Sequence, residues 1–224
     1  MSAKQVAWNR MFSSIGMKNT SDHYNEYANH YEEDCMKLGY TEPKVATDML
    51  KQVMSNFEDE NLQVLDVAAG TGLVADNLRA LNFQGKIDGI DGSAKMLEKA
   101  KEKGNYRNLV EEFILPDKPL PYDDSSYDVV ICLGSLSVPH VQPEAIKEFM
   151  RVTKCGGLII FSVATTSRSA GYEKKLAEIA KSMEGSLQWE NARTVKGAIF
   201  EVNYETKDPE NTKTGTSFYL YKKL

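Results

Sequence analysis

Cysteine is scarce in this chain. Its three copies, Cys35, Cys132 and Cys155, are far apart, odd in number and in none of the spacings that hold zinc. They predict reduced thiols, a cytoplasmic type of compartment and no metal site. Long apolar runs are missing as well: no window approaches the roughly 20 apolar residues of a membrane span. The first ten residues, MSAKQVAWNR, lack an apolar stretch of signal-peptide length. A soluble chain without membrane attachment is therefore expected. Nor is positive charge in excess. Lys and Arg number 27 against 32 Asp and Glu, for a net charge of −5. That balance removes the electrostatic reason to expect a nucleic-acid backbone as partner, although it says nothing of a local basic patch. Internal repeats and low-complexity tracts are also absent, and the sequence has no signature of oligomeric state.

What is present points to one α/β domain with a modest appendage, since 224 residues with 42% hydrophobic side chains can bury a sizeable core. Residues 21–40, SDHYNEYANHYEEDCMKLGY, place Tyr24, Tyr27 and Tyr31 at i, i+3 and i+7 on one helix face, with Ser21 or Asp22 as N-cap. Another helix is predicted over 43–56. From residue 61 strands and helices alternate. Strand LQVLDVA leads to helix LVADNLRAL, and strand KIDGID to helix SAKMLEKAKEK, capped by Ser93. NLVEEFIL is a weaker strand and YDVVICL a buried one, followed by helix PEAIKEFMRVT, strand GGLIIFSVA and a helix near YEKKLAEIAKSM. The tail has two strand-like runs, VKGAIFEVNYE and TSFYLYKKL, around the turn-rich TKDPENTKTG, which reads as an antiparallel pair. Such alternation predicts a doubly wound, mostly parallel sheet, whose ligands sit at the strands' carboxyl ends where the strand order switches.

VLDVAAGTGL, residues 64–73, occupies one such end. Gly70 and Gly72 permit a tight turn and close approach of backbone to a ligand, and the helix that follows directs free N–H groups towards it. GTGLVA alone also satisfies a dinucleotide pattern with many chance matches. Asp91 closes the next strand, 21 residues after Gly70, where a carboxylate can accept both hydroxyls of an adenosine ribose. Asp66 separates two readings. An aspartate here repels a pyrophosphate, but it attracts the ammonium of a methionine moiety.

On these residues the chain resembles the class I S-adenosylmethionine-dependent methyltransferases. VLDVAAGTGLVADNL matches their first motif, with Ala68 where glycine is common, and GIDGSAKMLEKAK matches their second. LPYDDSSYDVVICLGSL and RVTKCGGLIIFS extend the likeness over roughly residues 61–165. YNEYANHYEEDC, LDVAAGTGLVA, GIDGSAKMLEKA and RVTKCGGL are most similar to the methyltransferase-like family named for the Williams–Beuren syndrome chromosomal region. The resemblance implies a Rossmann-like, seven-stranded sheet with a C-terminal antiparallel pair. It also implies an N-terminal helical lid over residues 1–60 and a methyltransferase domain over 61–224 that binds S-adenosyl-L-methionine and releases S-adenosyl-L-homocysteine.

The resemblance further places Asp66, Ala68 and Gly70, with Thr71 and Gly72 in the same turn, around the methionine end. Asp91 takes the ribose, and Gly92 and Met96 flank the adenine. The position that often holds the adenine amino group falls on Pro116, with Asp117 beside it. Leu133 and Gly134 lie beneath the methionine, and SLSVPHV borders the acceptor. His140 is there a candidate base, or else a loop histidine bonded to backbone. Tyr24, Tyr27 and Tyr31 form a lid or simply pack, and Tyr24 is a second catalytic candidate.

The fourth strand ends in CLGSL. It lacks the Asn/Asp-Pro-Pro-aromatic tetrad of adenine N6 or glutamine methylation, and the acidic residue of magnesium-dependent catechol methylation. A metal-independent transfer to a small-molecule acceptor is the leading expectation. A non-catalytic protein that binds the cofactor as regulator or partner subunit is the alternative.

Overall fold

The computed structural model describes residues 2–12, 20–137, 140–165, 170–186, 188–200 and 214–224. Four helices come first: α1 (Ala3–Phe12), α2 (Thr20–Tyr27), α3 (Tyr31–Leu38) and α4 (Glu42–Val53). The alternating part follows as β1 (Gln63–Val67), α5 (Leu73–Ala80), β2 (Lys86–Asp91), α6 (Ala94–Lys103), β3 (Asn108–Glu111) and β4 (Tyr127–Cys132). A 3-10 turn at Pro143–Ala145 leads into α7 (Ile146–Val152), β5 (Thr153–Thr165), α8 (Ala170–Gly185), β6 (Trp189–Phe200) and β7 (Thr214–Lys223).

The seven strands form one sheet in the order β3-β2-β1-β4-β5-β7-β6. β1 to β5 run parallel to one another, and β7 lies antiparallel to both β5 and β6. Strand order therefore reverses at β1, with β2 on one side and β4 on the other, which opens a crevice above their carboxyl ends.

Alternation within the strands sorts the core into two layers. Leu65, Val67 and Val130 pack with Phe149 of α7 and Leu176 of α8, whereas Val64, Val129 and Ile131 pack with Leu50 of α4 and Leu78 of α5. α4 precedes residue 60, yet it shares the sheet's core. α1 to α3 contribute no residue to either layer.

Three elements depart from expectation. The helix predicted across 21–40 breaks into α2 and α3 at a turn over 28–30. Glu32, Glu33 and Asp34 fill the first turn of α3, where carboxylates favour a fresh helix N-terminus, and Gly39 ends it in a left-handed conformation. The strand expected over 108–115 stops at Glu111, because β3 is an edge strand whose pairing with β2 runs only from Asn108 to Glu111. β6 begins at Trp189, well before the expected Val195, because residues 189–195 find partners along β7. The expected strand beyond residue 200 and the turn up to residue 213 lie outside the described residues, as do Ser13, Ser14 and Ile15 of the first amphipathic stretch.

Candidate functional site

The turn after β1 is tight and left-handed. Ala68 (φ 58°), Gly70 (φ 55°) and Gly72 (φ 90°) all have positive φ, and the Gly72 N–H closes the turn on the Ala69 carbonyl at 2.9 Å. The positive φ favours glycine at residue 72, and a Cβ there would also sit tightly, 3.0 Å from the Tyr106 ring. Ala68 has no such dispensation, and a left-handed alanine costs roughly 1–2 kcal/mol. Ala68→Gly is therefore expected to raise stability by about 1 kcal/mol, read as a higher unfolding midpoint. A lower midpoint would mean that the packing of the Ala68 methyl outweighs the backbone relief.

Asp91 faces this turn from the end of β2. Its Oδ2 accepts the Gly70 N–H at 2.9 Å and its Oδ1 the Ser93 N–H at 2.8 Å. Burial raises its pKa, and these two backbone donors oppose the rise. Each oxygen retains capacity for a further donor. Asp66 lies deeper and is 1% exposed, with its Oδ2 accepting the Tyr106 hydroxyl at 2.6 Å. Burial pushes its carboxyl up to about 7, against the pull of the Tyr106 hydrogen bond.

A cavity of about 290 Å³ opens at the carboxyl ends of the strands. Ala68, Gly70, Asp91, Gly92 and Met96 line one part, Leu133, Gly134 and His140 another, and Tyr24 and Tyr31 descend from the helical cap. Tyr27 is buried against Ala28 and Met96 and does not line it, so two of the three tyrosines reach the cavity. Although Tyr24 and Tyr31 stand on different helices, their rings meet edge to face with centroids 6.5 Å apart. Met96 both packs against Tyr27 and lines the cavity.

Asp66, Thr71, Gly72, Pro116 and Asp117 are not among the lining residues. Thr71 is buried and its hydroxyl has no hydrogen-bond partner among the described residues. Pro116 and Asp117 are exposed. The residues just before them, Phe113, Ile114 and Leu115, line the cavity instead, the stretch read from sequence as the end of β3. Phe113 packs against Gly92, where a Cβ would come within 2.9 Å of its ring. Thr20, Ser21, Ser93, Ser135 and Val141 complete the lining and were not singled out as site residues. Ser93 had a signal as the α6 cap and Ser21 as a helix cap, Ser135 and Val141 fall in the SLSVPHV segment expected to border the acceptor, and Thr20 had none.

His140 is held from both sides. Its Nε2 lies 3.0 Å from the Tyr24 hydroxyl and its Nδ1 3.1 Å from the Ser137 hydroxyl. Burial brings its pKa down to about 4, helped by His23 nearby, so the ring is neutral at pH 7. The consistent assignment has Tyr24 donating to Nε2 and Nδ1–H donating to Ser137. Burial raises the Tyr24 phenol, so that it too stays protonated. Val138 and Pro139 of the same loop lie outside the described residues.

Beneath Gly134 lies a polar network that had no sequence signal. The Gly134 N–H donates to the Ser162 hydroxyl at 2.9 Å, Ser162 donates to Glu42, and Thr216 donates to Glu42 Oε1 at 3.3 Å. Glu42 is 4% exposed, and burial raises its pKa. Next to this network Cys132 is fully buried, and burial pushes its thiol up to about 12. Among the described residues no cluster of three or more metal-ligating side chains occurs, and no helix is long and apolar enough to cross a membrane.

Comparison with known proteins gives this geometry a family. The family model of a methyltransferase domain matches residues 64–157. Over 167 residues, 75% of this chain, the sequence is 38% identical to human methyltransferase-like protein 27, of which the match spans 66%. Over 177 residues, 69% of the chain, it is 34% identical to demethylmenaquinone methyltransferase of Staphylococcus epidermidis, covering 73% of that protein. The chain spans less of some other curated relatives, 48% and 46% of their lengths. The fold superposes with a TM-score of 0.63 on the methyltransferase in complex with the Haloferax volcanii Trm112 methyltransferase activator, covering 90% of this chain and 96% of that one. At 19% identity that likeness is one of fold alone. Sheet order, glycine turn and sequence relatives agree: the chain belongs to the class I S-adenosylmethionine-dependent methyltransferases.

Proposed function

We propose that this protein transfers the methyl group of S-adenosyl-L-methionine to a small-molecule acceptor without a metal. The observation that carries the reading is the Asp91 carboxylate. It stands at the cavity wall with both oxygens oriented by backbone N–H groups and both able to accept another donor. Two vicinal hydroxyls of a ribose match that pair. A volume of about 290 Å³, just below the roughly 300–1,000 Å³ of small-molecule sites, suits one nucleoside-sized ligand.

When bound, the cofactor supplies a methyl group on a sulfonium, already a good leaving group. The chain's own task is then to hold, align and exclude water, and such positioning is worth roughly 7–11 kcal/mol of a barrier. In this reading Asp91 takes the ribose, and Met96 with Phe113, Ile114 and Leu115 packs around the adenine in place of Pro116 and Asp117. The Leu133–Gly134 backbone lies along the methionine segment. Asp66 acts from below, through the ordering of the turn and its charge. Tyr24 faces the acceptor. Its oxygen can receive an acceptor O–H or N–H while its own proton is held by His140 Nε2. Neutral His140 orients this pair and takes a proton only as the methyl transfer itself releases one. The cap formed by α1 to α3 closes over the site. A small acceptor is supported by the relative named for demethylmenaquinone, itself a small molecule.

Calorimetric titration of S-adenosylmethionine, S-adenosylhomocysteine and NAD into the purified protein tests the cofactor. Binding of the two sulfur nucleosides and not of NAD is expected. Absence of binding by folded protein would reduce the glycine turn to a structural feature. Transfer of labelled methyl to the small-molecule fraction of a cell extract then separates an enzyme from a cofactor-binding partner subunit.

A further inference from the structure

Residues 91–93 are gripped from two sides. From the sheet side, the Gly70 N–H holds Asp91 Oδ2. From the cap side, α2 reaches down with two side chains. The Ser21 hydroxyl donates to the Gly92 carbonyl at 2.9 Å. Asn25 Oδ1 accepts both the Ser93 hydroxyl at 2.7 Å and the Lys95 N–H at 3.1 Å.

This makes Asn25 an additional cap for α6, supplied from another helix. Ser93, the local N-cap, accepts the Met96 N–H at 3.3 Å. The Lys95 N–H has no intrahelical acceptor, like every amide in a first helical turn, and Asn25 satisfies it. Ser93 is thus held by its hydroxyl through Asn25, while its own N–H points the Asp91 carboxylate at 2.8 Å. With α2 undocked, Ser93 loses its hydroxyl acceptor, Lys95 its N–H acceptor and Gly92 its hydroxyl donor. The segment that aims Asp91 then keeps only its contacts within the sheet domain.

We propose that Asn25 is a positioning residue that couples docking of α2 to the orientation of Asp91, so that ribose recognition and closure of the helical cap are one event. The proposal rests on the cofactor reading above. It adds a reciprocal consequence: a ligand with ribose hydroxyls stabilises the docked cap, and a ligand without them does not.

The test compares S-adenosylhomocysteine with its 2′,3′-dideoxy analogue in the wild type, Asn25→Ala and Asn25→Asp. Asn25→Ala is expected to weaken S-adenosylhomocysteine about tenfold, within the roughly 5–150-fold range of coupled sites, and the dideoxy analogue by less than about twofold. Asn25→Asp keeps an oxygen at the same place and is expected to restore binding to within about threefold of wild type. Ser21→Ala, a milder change, is expected to show the same ligand selectivity with a smaller loss. Amide exchange at Lys95 reads the latch without ligand, and faster exchange in Asn25→Ala is expected.

If the wild type binds no S-adenosylhomocysteine, the cofactor reading fails and takes this proposal with it. If the wild type binds but Asn25→Ala binds both ligands as tightly, only the coupling is overturned. Equal loss for both ligands would make Asn25 a general stabiliser of the fold and would also overturn it. Unchanged exchange at Lys95 would show that the latch does not form in solution.

Discussion

Asp91→Ala is expected to lower affinity for S-adenosylhomocysteine by about 100-fold or more. Hydrogen bonds to a charged acceptor contribute about 1.5–3 kcal/mol each, and in the proposed cofactor complex the substitution removes two of them from the ribose. Even at the low end the sum is about 3 kcal/mol, or a factor above 100 in the dissociation constant. The loss is compounded because the same carboxylate accepts the Gly70 and Ser93 N–H groups and so orders both sides of the cavity. Calorimetry with a thermal melt on the same sample checks this. A folded Asp91→Ala protein that binds within threefold of wild type would remove the ribose role altogether.

The second large effect concerns stability and not affinity. The Asp66 carboxyl is buried and held at about 7, whereas an aspartate in an unfolded chain titrates near 4. Between those values the folded protein keeps a proton that the unfolded chain has released. Raising the pH through this window therefore disfavours the fold. The cost is complete above pH about 7 and absent below about 4. At about 1.4 kcal/mol per pH unit it reaches a few kcal/mol at pH 8. Asp66→Asn keeps an oxygen for the Tyr106 hydroxyl and carries no charge. It is expected to be more stable than wild type by about 2–4 kcal/mol at pH 8, with the advantage gone near pH 4. Denaturant unfolding at several pH values reads this directly. A constant difference across that range would show that Asp66 is ionised throughout.

The two predictions stand on residues of different legibility. Asp91 was readable because its signal is local: an apolar strand, a carboxylate at its end, and a fixed distance from the preceding glycine turn. The same holds for Gly70, which lines the cavity, and for the alternation that led to a doubly wound sheet, whereas Ala68 and Gly134, which also line it, were named through the family resemblance. Asp66 was readable as a residue of the turn but not in its surroundings. Its pKa is set by burial and by Tyr106, a side chain 40 residues away.

Elements that depend on a neighbour were harder to place. Whether Phe113 to Leu115 continue a strand or leave it to border the cavity is decided by where β2 stops offering partners, and propensity carries no record of that. The break between α2 and α3 likewise leaves the i, i+3, i+7 spacing of the tyrosines intact, so periodicity could not report it.

The sequence by itself determined the alternating order of elements from β1 to α8, the strand ends that border the cavity and the carboxylate, Asp91, that closes β2 there. Each follows from backbone period and turn chemistry within a short contiguous segment. Only the tertiary structure decided which buried polar groups satisfy one another. Glu42 meets Ser162 across 120 residues and Thr216 across 174, Tyr24 meets His140 across 116, and Asn25 meets Ser93 across 68. A buried polar group must find a partner, but any part of the chain can supply it. That choice belongs to packing in three dimensions and leaves no periodic trace in the sequence.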